Sequence, residues 1–345
     1  MSFYFSASLC LWQAAGPGDI IIAKTDPPLL SILAAPIARL KGARLINWLQ
    51  DLFPEVAEEL GLAGAIGRPA FHLLRHLRNR SLRSATVNVV PGNGMAKTLE
   101  QEGIAPQRIS VIANWSDGKL IEPMSREGNE LRLRWGLARN VVIAYAGNFG
   151  RAHDCDTIIE AMTLHQQHAT LAPAGDIMHQ IAFLFVGGGA QHKPLQREIG
   201  VRKLGNAQLH PYQPRELLPT LLGAADIHLV SLKPELEGLV VPSKIYGIIA
   251  AARPVIFIGS PLGEIARLIE ETKCGITVEQ GDSKTLLESI MELAKNPSLM
   301  KEMGTKARLA FEHQWDKPHA MAKWLSLLDI TSNRKVRAEA SKAEA

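Results

Sequence analysis

The sequence lacks paired cysteines and long hydrophobic runs. Its three cysteines, Cys10, Cys155 and Cys274, are far apart and form no CxxC pair, so they encode neither a zinc site nor a disulfide framework. No uninterrupted apolar run reaches the roughly 20 residues that a membrane-spanning helix needs. The apolar opening lacks the positive start and cleavage site of a signal peptide, so we interpret it as a packed helix. The expected compartment is the reducing cytoplasm.

The chain also lacks a large net charge. The net charge is +4, and basic residues are not interleaved with aromatic ones, which argues against a nucleic-acid-binding protein. No GxGxxG spacing followed by an acidic residue is present, which argues against a nicotinamide-dependent dehydrogenase. The chain has 345 residues, of which 46% are hydrophobic and 21% charged, as is typical of a globular protein with two domains.

Short apolar runs alternate with helical patterns along most of the chain. This alternation predicts an α/β protein in which crossover helices join parallel strands. Strands are predicted at residues 19–24, 44–49, 85–90, 108–112, 141–146, 182–186, 207–209, 226–230, 254–258 and 275–278.

A polar segment with Pro123 and Gly128 divides the strands into two series. We expect an amino-terminal Rossmann-like domain over residues 1–124 and a carboxyl-terminal one over residues 125–312. A helix with a frayed tail is expected over residues 313–345. The first domain opens without the usual strand and glycine-rich turn, so we expect it to lack about one βαβ unit.

Two strands of the second series end in turns rich in glycine. Glycine lets a backbone approach a ligand closely, and open α/β sheets bind ligands at the carboxyl ends of their strands. These turns therefore predict a wall for a diphosphate, although a tight strand-to-helix connection would favour glycine for structural reasons as well. The predicted residues are Gly147, Asn148, Gly150, Arg151, Gly187 and Gly188.

The motif Pro242-Ser243-Lys244 predicts a helix start that faces an anion. Lys244 would neutralise a diphosphate leaving group, which makes it a candidate catalytic residue. Glu237 or Glu235 could bind hydroxyl groups of a ribose or of a donor sugar, and Glu237 is also a candidate catalytic residue. Simple helix capping is the alternative reading of the motif.

Tyr212 lies in a loop that precedes a predicted helix. Such a loop could hold a nucleobase through backbone hydrogen bonds, with Tyr212 alongside. Helix initiation by Pro214 explains the same pattern equally well.

In the first half, Gln50 and Asp51 follow a strand and would lie at a ligand-binding edge. Asp51 is the leading candidate for a contact to the reacting sugar or for activation of an acceptor. Asp26, at the end of the preceding strand, is a weaker candidate of the same kind. Helix capping by Asp51 is the structural alternative.

Residues 71–83 place apolar side chains at helical spacing with arginines on the remaining face. A basic amphipathic helix of this kind can rest on an anionic membrane. It can equally be an ordinary solvated helix.

Five motifs in this order resemble the family-four glycosyltransferases of the GT-B fold, in particular the exopolysaccharide branch that includes colanic acid biosynthesis enzymes. They are TDPPLL at 25–30, WLQDLFPE at 48–55, YAGNFG at 145–150, FVGGG at 185–189 and VPSKIY at 241–246. The resemblance covers nearly the whole chain.

The resemblance implies two Rossmann-like domains facing across a cleft, a nucleotide sugar held by the second and an acceptor by the first. It also implies retention of anomeric configuration, no cofactor and no essential metal. Arg151 and Lys244 resemble the basic residues that face the diphosphate, and Glu237 resembles the first of two paired glutamates. The sequence departs from the pattern at Gly247, which stands in place of the second glutamate, and at Gln50-Asp51, which replaces a His-Asp pair.

The expected function is transfer of a sugar from a nucleotide-diphosphate sugar to a lipid-linked or polysaccharide acceptor in exopolysaccharide biosynthesis. Relatives that build polymers work at the inner face of the cytoplasmic membrane, so we expect a peripheral location. Two alternatives stay open because a fold does not fix a reaction. One is a nucleotide-sugar epimerase of the same fold, and the other is a non-catalytic glycosyltransferase-like subunit, which Gly247 and the short amino end suggest.

Overall fold

The computed structural model describes residues 2–62 and 67–343 and divides the chain into two compact units. The amino-terminal unit comprises Met1–Ala113, Gly238–Val241 and Pro318–Ala345. The carboxyl-terminal unit comprises Asn114–Glu237 and Pro242–Lys317. The first division falls after Ala113, whereas the sequence pattern placed the boundary at residue 124.

Four parallel strands form the sheet of the amino-terminal unit, in chain order. They are β1 (Ile20–Lys24), β2 (Arg44–Trp48), β3 (Val87–Val90) and β4 (Ile109–Val111). The helices of this part of the chain are α1 (Ser2–Ala14), α2 (Leu30–Lys41), α3 (Glu55–Glu59), α4 (Arg68–Ser84) and α5 (Asn93–Gln101). All four predicted strands are confirmed.

Helix α1 forms where the apolar opening predicted a helix, but it is packed on one side only. Tyr4 Oη donates a hydrogen bond to Pro28 O (2.8 Å), whereas Phe5 is 75% exposed. At the other end of the chain, helix α14 (Lys317–Ala343) extends through the stretch where we expected a frayed tail. No helix in the described parts of the chain is long and apolar enough to cross a membrane.

Six parallel strands form the sheet of the carboxyl-terminal unit. They are β5 (Val141–Asn148), β6 (Ile181–Gly188), β7 (Ala207–His210), β8 (Ile227–Ser231), β9 (Val255–Ile258) and β10 (Gly275–Val278). Their spatial order is β10-β9-β8-β5-β6-β7. The order reverses between β5 and β8, which is the doubly wound Rossmann pattern predicted from the sequence.

One α-helix precedes this sheet, and the others lie between its strands or after the last of them. They are α6 (Glu130–Arg134), α7 (Asp156–Leu171), α8 (His192–Val201), α9 (Leu218–Ala224), α10 (Lys244–Ala250), α11 (Glu264–Thr272), α12 (Ser283–Lys295) and α13 (Pro297–Gln314). The sequence pattern did not predict α3, α6, α8 or α11. Two of these, α3 and α6, have only five residues, and α8 buries only Leu195. Helix α11 does bury an apolar face with Ile265, Leu268 and Ile269, which the sequence reading overlooked.

Both faces of strand β5 are buried. Ile143 and Tyr145 belong to one hydrophobic cluster, whereas Val142 and Ala144 belong to a second cluster on the opposite face. Successive side chains of a strand point to opposite faces, so a strand covered on both sides needs an unbroken apolar run. That run made β5 recognisable in the sequence.

A buried ion pair fastens the start of β5 to the neighbouring elements. Asp226 and Arg132 are only 5% and 1% exposed, and Arg132 Nη1 lies 2.9 Å from Asp226 Oδ2. The same carboxylate oxygen accepts the Val142 N–H (2.8 Å), and Arg132 also donates to Ala224 O (3.1 Å). Asp226 directly precedes β8, and its carboxylate therefore links this strand to α6 through Arg132 and to β5 through Val142.

We predict that Asp226→Ala lowers the free energy of unfolding by about 3–5 kcal/mol, because it leaves the Arg132 charge buried without its partner. Urea denaturation followed by tryptophan fluorescence measures the change. The control is Glu127→Ala, which removes an exposed carboxylate beside Arg126 and should change stability little. Equal stabilities of the two variants would contradict the assigned role of Asp226.

Candidate functional site

The reversal of strand order in the carboxyl-terminal unit brings the ends of β5 and β8 side by side. Ligands of open α/β sheets bind at the carboxyl ends of strands at such a point. Tyr145, Gly147 and Asn148 lie at the end of β5, and Ser231 ends β8. The residues around this edge form the candidate site.

The glycines at this edge serve two different purposes. A Cβ on residue 187 would lie 2.1 Å from Gly147 O, so Gly187 is required by the pairing of β5 with β6. A Cβ on residue 188 would lie 3.0 Å from a ring carbon of Tyr212. Gly147 has a φ of 120° and open space on one side, where Lys244 is the nearest side chain at 3.9 Å. Of these three glycines, Gly147 is the one that borders the Lys244 side chain.

Lys244 is the first residue of α10, and Ser243 precedes the helix without forming a side-chain capping hydrogen bond. The half-buried Lys244 amine hydrogen-bonds to Tyr145 Oη and lies 3.6 Å from the centroid of the Tyr145 ring. Burial lowers the pKa of Lys244 to about 7. The amine is therefore close to half-charged at neutral pH.

A cavity of about 330 Å³ opens beside Lys244, within the size range of small-molecule sites. One part of its wall is polar and is formed by Ser116, Tyr212, Gln213, Arg215, Ser243 and Lys244. Another part is apolar and is formed by Ile121, Val186, Leu218, Leu221, Leu222 and Ile248. Gly147 and Gly247 also line the cavity. A lining that combines apolar side chains with the cationic Lys244 and Arg215 suits a flat heterocycle that carries an anionic group.

The cavity unites four of the predicted donor-binding residues, namely Gly147, Tyr212, Ser243 and Lys244. The others lie near it without lining it, and they are Asn148, Gly150, Arg151, Gly187, Gly188 and Pro242. Arg151 is exposed in the turn after β5.

Sequence reasoning missed several residues of the cavity wall. Arg215 stands in the same loop as Tyr212, and Ser116 stands in the segment after β4. A cationic side chain next to a candidate nucleobase loop was the available signal for Arg215. The apolar residues gave no signal, because leucine and isoleucine at helical spacing are ordinary core residues.

Glu237 lies outside this cavity and contacts the start of α11. Its Oε2 accepts the Glu264 N–H (3.3 Å), and its carboxylate fills the space where Gly263 has no side chain. Burial raises the pKa of Glu237, and its Oε1 has no hydrogen-bond partner among the described residues. Glu235 lies in a short 3₁₀ helix, Pro234–Leu236, just before it.

In the amino-terminal unit, Asp26, Gln50 and Asp51 come together at the carboxyl ends of β1 and β2. Thr25 Oγ1 accepts the Gln50 N–H (2.9 Å), and Asp51 pairs with Val240 through an isolated β-bridge. Burial raises the pKa of Asp51, which a hydrogen bond from Thr25 opposes and the charge of Asp26 reinforces. This cluster therefore combines a buried carboxyl group with polar neighbours.

The arginine-rich helix α4 is only partly available to solvent. Arg75 Nε lies 3.0 Å from Glu55 Oε1, and Arg78 also pairs with Glu55. Arg75 pairs in addition with Glu58. The basic face predicted from the sequence is thus partly neutralised by α3.

No group of three or more His, Cys, Asp or Glu side chains that could hold a metal ion occurs within residues 2–62 and 67–343.

Comparison with known proteins gives a consistent result. A family model described as glycosyl transferases group 1 matches residues 131–310. WbjE of Pseudomonas aeruginosa, provisionally named a glycosyltransferase, is 28% identical over 85% of this chain and 70% of its own. WcaI of Escherichia coli K12, provisionally named a colanic acid biosynthesis glycosyl transferase, is 26% identical over 84% of this chain and 69% of its own.

Solved structures show the same fold at low sequence identity. Anabaena HepE, crystallised with UDP and glucose, has a TM-score of 0.74 and 17% identity over 96% of this chain and 81% of its own. Sucrose-phosphate synthase of Thermosynechococcus elongatus has a TM-score of 0.71 and 16% identity over 93% of this chain and 74% of its own. These likenesses confirm the GT-B fold with two Rossmann-like domains.

The lowered pKa of Lys244 predicts a stability difference that depends on pH. Between pH 7 and 10.5 the folded protein binds fewer protons at Lys244 than the unfolded chain. The free energy of unfolding therefore rises with pH in this range, and the destabilisation caused by Lys244 becomes smaller. We expect Lys244→Met to be more stable than the wild type at pH 7 and to lose this advantage by about pH 10.

Urea denaturation across that range measures the difference between the two proteins, in which all other titrations cancel. The control is Lys193→Met, which replaces an exposed lysine on α8 and should differ from the wild type by the same small amount at every pH. A pH-independent difference for Lys244→Met would show that its amine is not desolvated.

Proposed function

Because the chain belongs to the group 1 glycosyl transferases, we propose that this glycosyltransferase takes its sugar from a nucleoside-diphosphate sugar bound by the carboxyl-terminal unit. The acceptor we propose is a lipid-linked or polysaccharide chain in exopolysaccharide biosynthesis. The observation that carries the proposal is the Lys244 amine, half-buried at the strand-order reversal beside Gly147 and a 330 Å³ cavity.

The cavity matches the parts of a nucleoside diphosphate. Lys244 lies where a diphosphate could pass Gly147, a residue without a side chain to block it. The apolar wall of Ile121, Leu218 and Leu222 suits a nucleobase, and Tyr212 stands at the rim with 59% of its surface exposed. Crystal structures of HepE with UDP and with UDP-glucose support this class of donor.

In the proposed reaction, positive charge stabilises the departing nucleoside diphosphate. Lys244 supplies this charge from within the protein, and electrostatic groups held in place before the reaction are the most effective form of such stabilisation. Arg215 lines the same cavity. Arg151 is exposed and lies in the turn that follows β5. The proposal needs no metal ion, because the cationic side chains take the role that a metal would have.

For the acceptor, we propose the cluster of Asp26, Gln50 and Asp51 in the amino-terminal unit. The raised pKa of Asp51 suits a group that exchanges a proton or hydrogen-bonds to a sugar hydroxyl. Glu237, with a buried and partly unsatisfied carboxyl group, is the proposed contact for the donor sugar. Retention of the anomeric configuration is the outcome that we propose.

We propose an exopolysaccharide acceptor because the relative WcaI is named for colanic acid biosynthesis. A lipid-linked acceptor requires work at a membrane surface, so we also propose a peripheral location at the inner face of the cytoplasmic membrane. The exposed side of α4, with Leu73, His76, Arg80 and Arg83, is the proposed contact with anionic lipid.

We expect Lys244→Ala to lower kcat/KM by about 100- to 1000-fold, the usual cost of removing a group that stabilises the transition state. The measurement is nucleoside diphosphate release, after melting-temperature shifts have selected a donor from UDP-, GDP- and dTDP-sugars. The control is Lys193→Ala, and a Lys244→Ala enzyme with near wild-type activity would contradict the proposed role.

The same assay separates the three candidate functions. Release that requires a lipid-linked oligosaccharide identifies the transferase. Release without any acceptor would identify the epimerase-type reaction, and binding without release would identify a non-catalytic subunit.

The membrane contact predicts binding to vesicles that contain anionic phospholipid. Changing Leu73 and Arg80 together to serine should weaken co-sedimentation about fivefold or more, since each basic residue near such a surface contributes about 1 kcal/mol. A matched control changes Leu133 and Arg134, which are also exposed but lie in the carboxyl-terminal unit. Equal losses in both double variants would argue against α4 as the contact.

A further inference from the structure

Tyr145 is the residue that fixes the position of the Lys244 amine. The Tyr145 side chain is 1% exposed, and its hydroxyl donates its single hydrogen to Asn148 O (3.1 Å). Burial raises the pKa of this hydroxyl, so it keeps that hydrogen at neutral pH. Toward Lys244 it can therefore only accept, and the ring below adds a cation–π contact at 3.6 Å.

The other groups around the amine are uncharged near neutral pH. His153 packs 5.7 Å from the Tyr145 ring, and its Nδ1 lies 2.6 Å from Ser231 O. Burial and, second, the charge of Lys244 lower the pKa of His153 to about 4. Burial also raises the pKa of the Cys155 thiol, which faces Lys244 from the start of α7.

Charged groups lie farther out and have other partners or the same sign. Asp154 accepts hydrogen bonds from Asp156 N (3.1 Å) and from the Thr157 hydroxyl, so it caps α7. Arg215, which lines the same cavity, is positive like Lys244. Within the described parts of the chain, no carboxylate forms an ion pair with Lys244. The amine has an acceptor and an aromatic face but no counter-charge of its own.

We propose that Tyr145 is a positioning residue for Lys244, and that Lys244 takes up a proton when a nucleoside diphosphate enters the cavity. The inference rests on the proposed function, because the diphosphate supplies the missing counter-charge. The Tyr145 hydroxyl and ring would stay in contact with the amine in the bound state and direct its remaining N–H bonds toward the diphosphate.

The size of the proton uptake follows from the charge state of the free protein. With a pKa of about 7, roughly nine-tenths of the Lys244 amines are neutral at about pH 8. The terminal phosphate of a nucleoside diphosphate has already lost its proton at that pH, since such groups titrate near pH 6. Binding should then take up between about half a proton and one proton per ligand at about pH 8. At about pH 6 binding should instead release protons, because the Lys244 amine is already mostly charged and the terminal phosphate is still partly protonated.

Isothermal titration of the full chain with UDP, in Tris and in HEPES buffer at about pH 8, measures this uptake from the difference in the two heats. Lys244→Met should bind more weakly and reduce the uptake to about one-fifth of a proton or less. Wild-type binding without proton uptake would overturn the inference and leave the proposed function intact. No binding of UDP, GDP or dTDP at millimolar concentration would instead overturn the proposed function.

The positioning role is tested by Tyr145→Phe, which keeps the buried ring and removes the acceptor. We expect the dissociation constant for UDP to rise about three- to tenfold, as for loss of one hydrogen bond to a charged group. The midpoint of proton uptake should also move to lower pH, because the charged amine has lost an acceptor. A merely structural role of the hydroxyl would not move this midpoint.

The matched control is Tyr246→Phe, a tyrosine that is equally buried, on the same helix as Lys244. It should leave both the dissociation constant and the midpoint unchanged. A folded Tyr145→Phe protein that binds UDP as tightly as the wild type, or more tightly, would overturn the positioning role.

Discussion

The close approach of two strand ends in the carboxyl-terminal unit is the constraint on which the site depends. β5 and β6 are paired up to Asn148 and Gly188, and a Cβ on residue 187 would lie 2.1 Å from the Gly147 carbonyl oxygen. The pairing continues through Phe149, whose N–H donates to Gly188 O (2.6 Å). Tyr145 belongs to this paired stretch of β5, and its hydroxyl and ring contact the Lys244 amine.

Buried charge is handled in two ways within this unit. Asp226 and Arg132 satisfy each other and also accept or donate backbone hydrogen bonds, so their burial fastens elements together. Lys244 is half-buried beside a tyrosine with no opposite charge, and this partial burial costs stability and lowers the pKa of the lysine. A loss of folding stability of this kind is typical of binding sites in which the ligand supplies the opposite charge.

The sequence predicted the elements that carry strong periodicity. An unbroken apolar run identified β5, and both of its faces are indeed covered. It also placed Asp26, Gln50 and Asp51 at the ends of two successive strands, and the parallel pairing of these strands brings the three residues to one edge of the sheet. Helices such as α3 and α6 were missed because five residues are too few to show a period.

By itself, then, the sequence determined the two α/β series, the strand-order reversal they imply and the candidate residues Gly147, Tyr212, Ser243 and Lys244. Only the tertiary structure decided that Gly187 serves strand pairing, that Glu237 contacts α11, and that Arg75 and Arg78 pair with glutamates. The physical reason is that local patterns record backbone preference and burial, whereas the partner of a polar side chain depends on segments far away in the chain. Tyr145 illustrates this, because in the sequence it is one more residue of a buried strand, and only its contact with a lysine 99 positions later gives it a role.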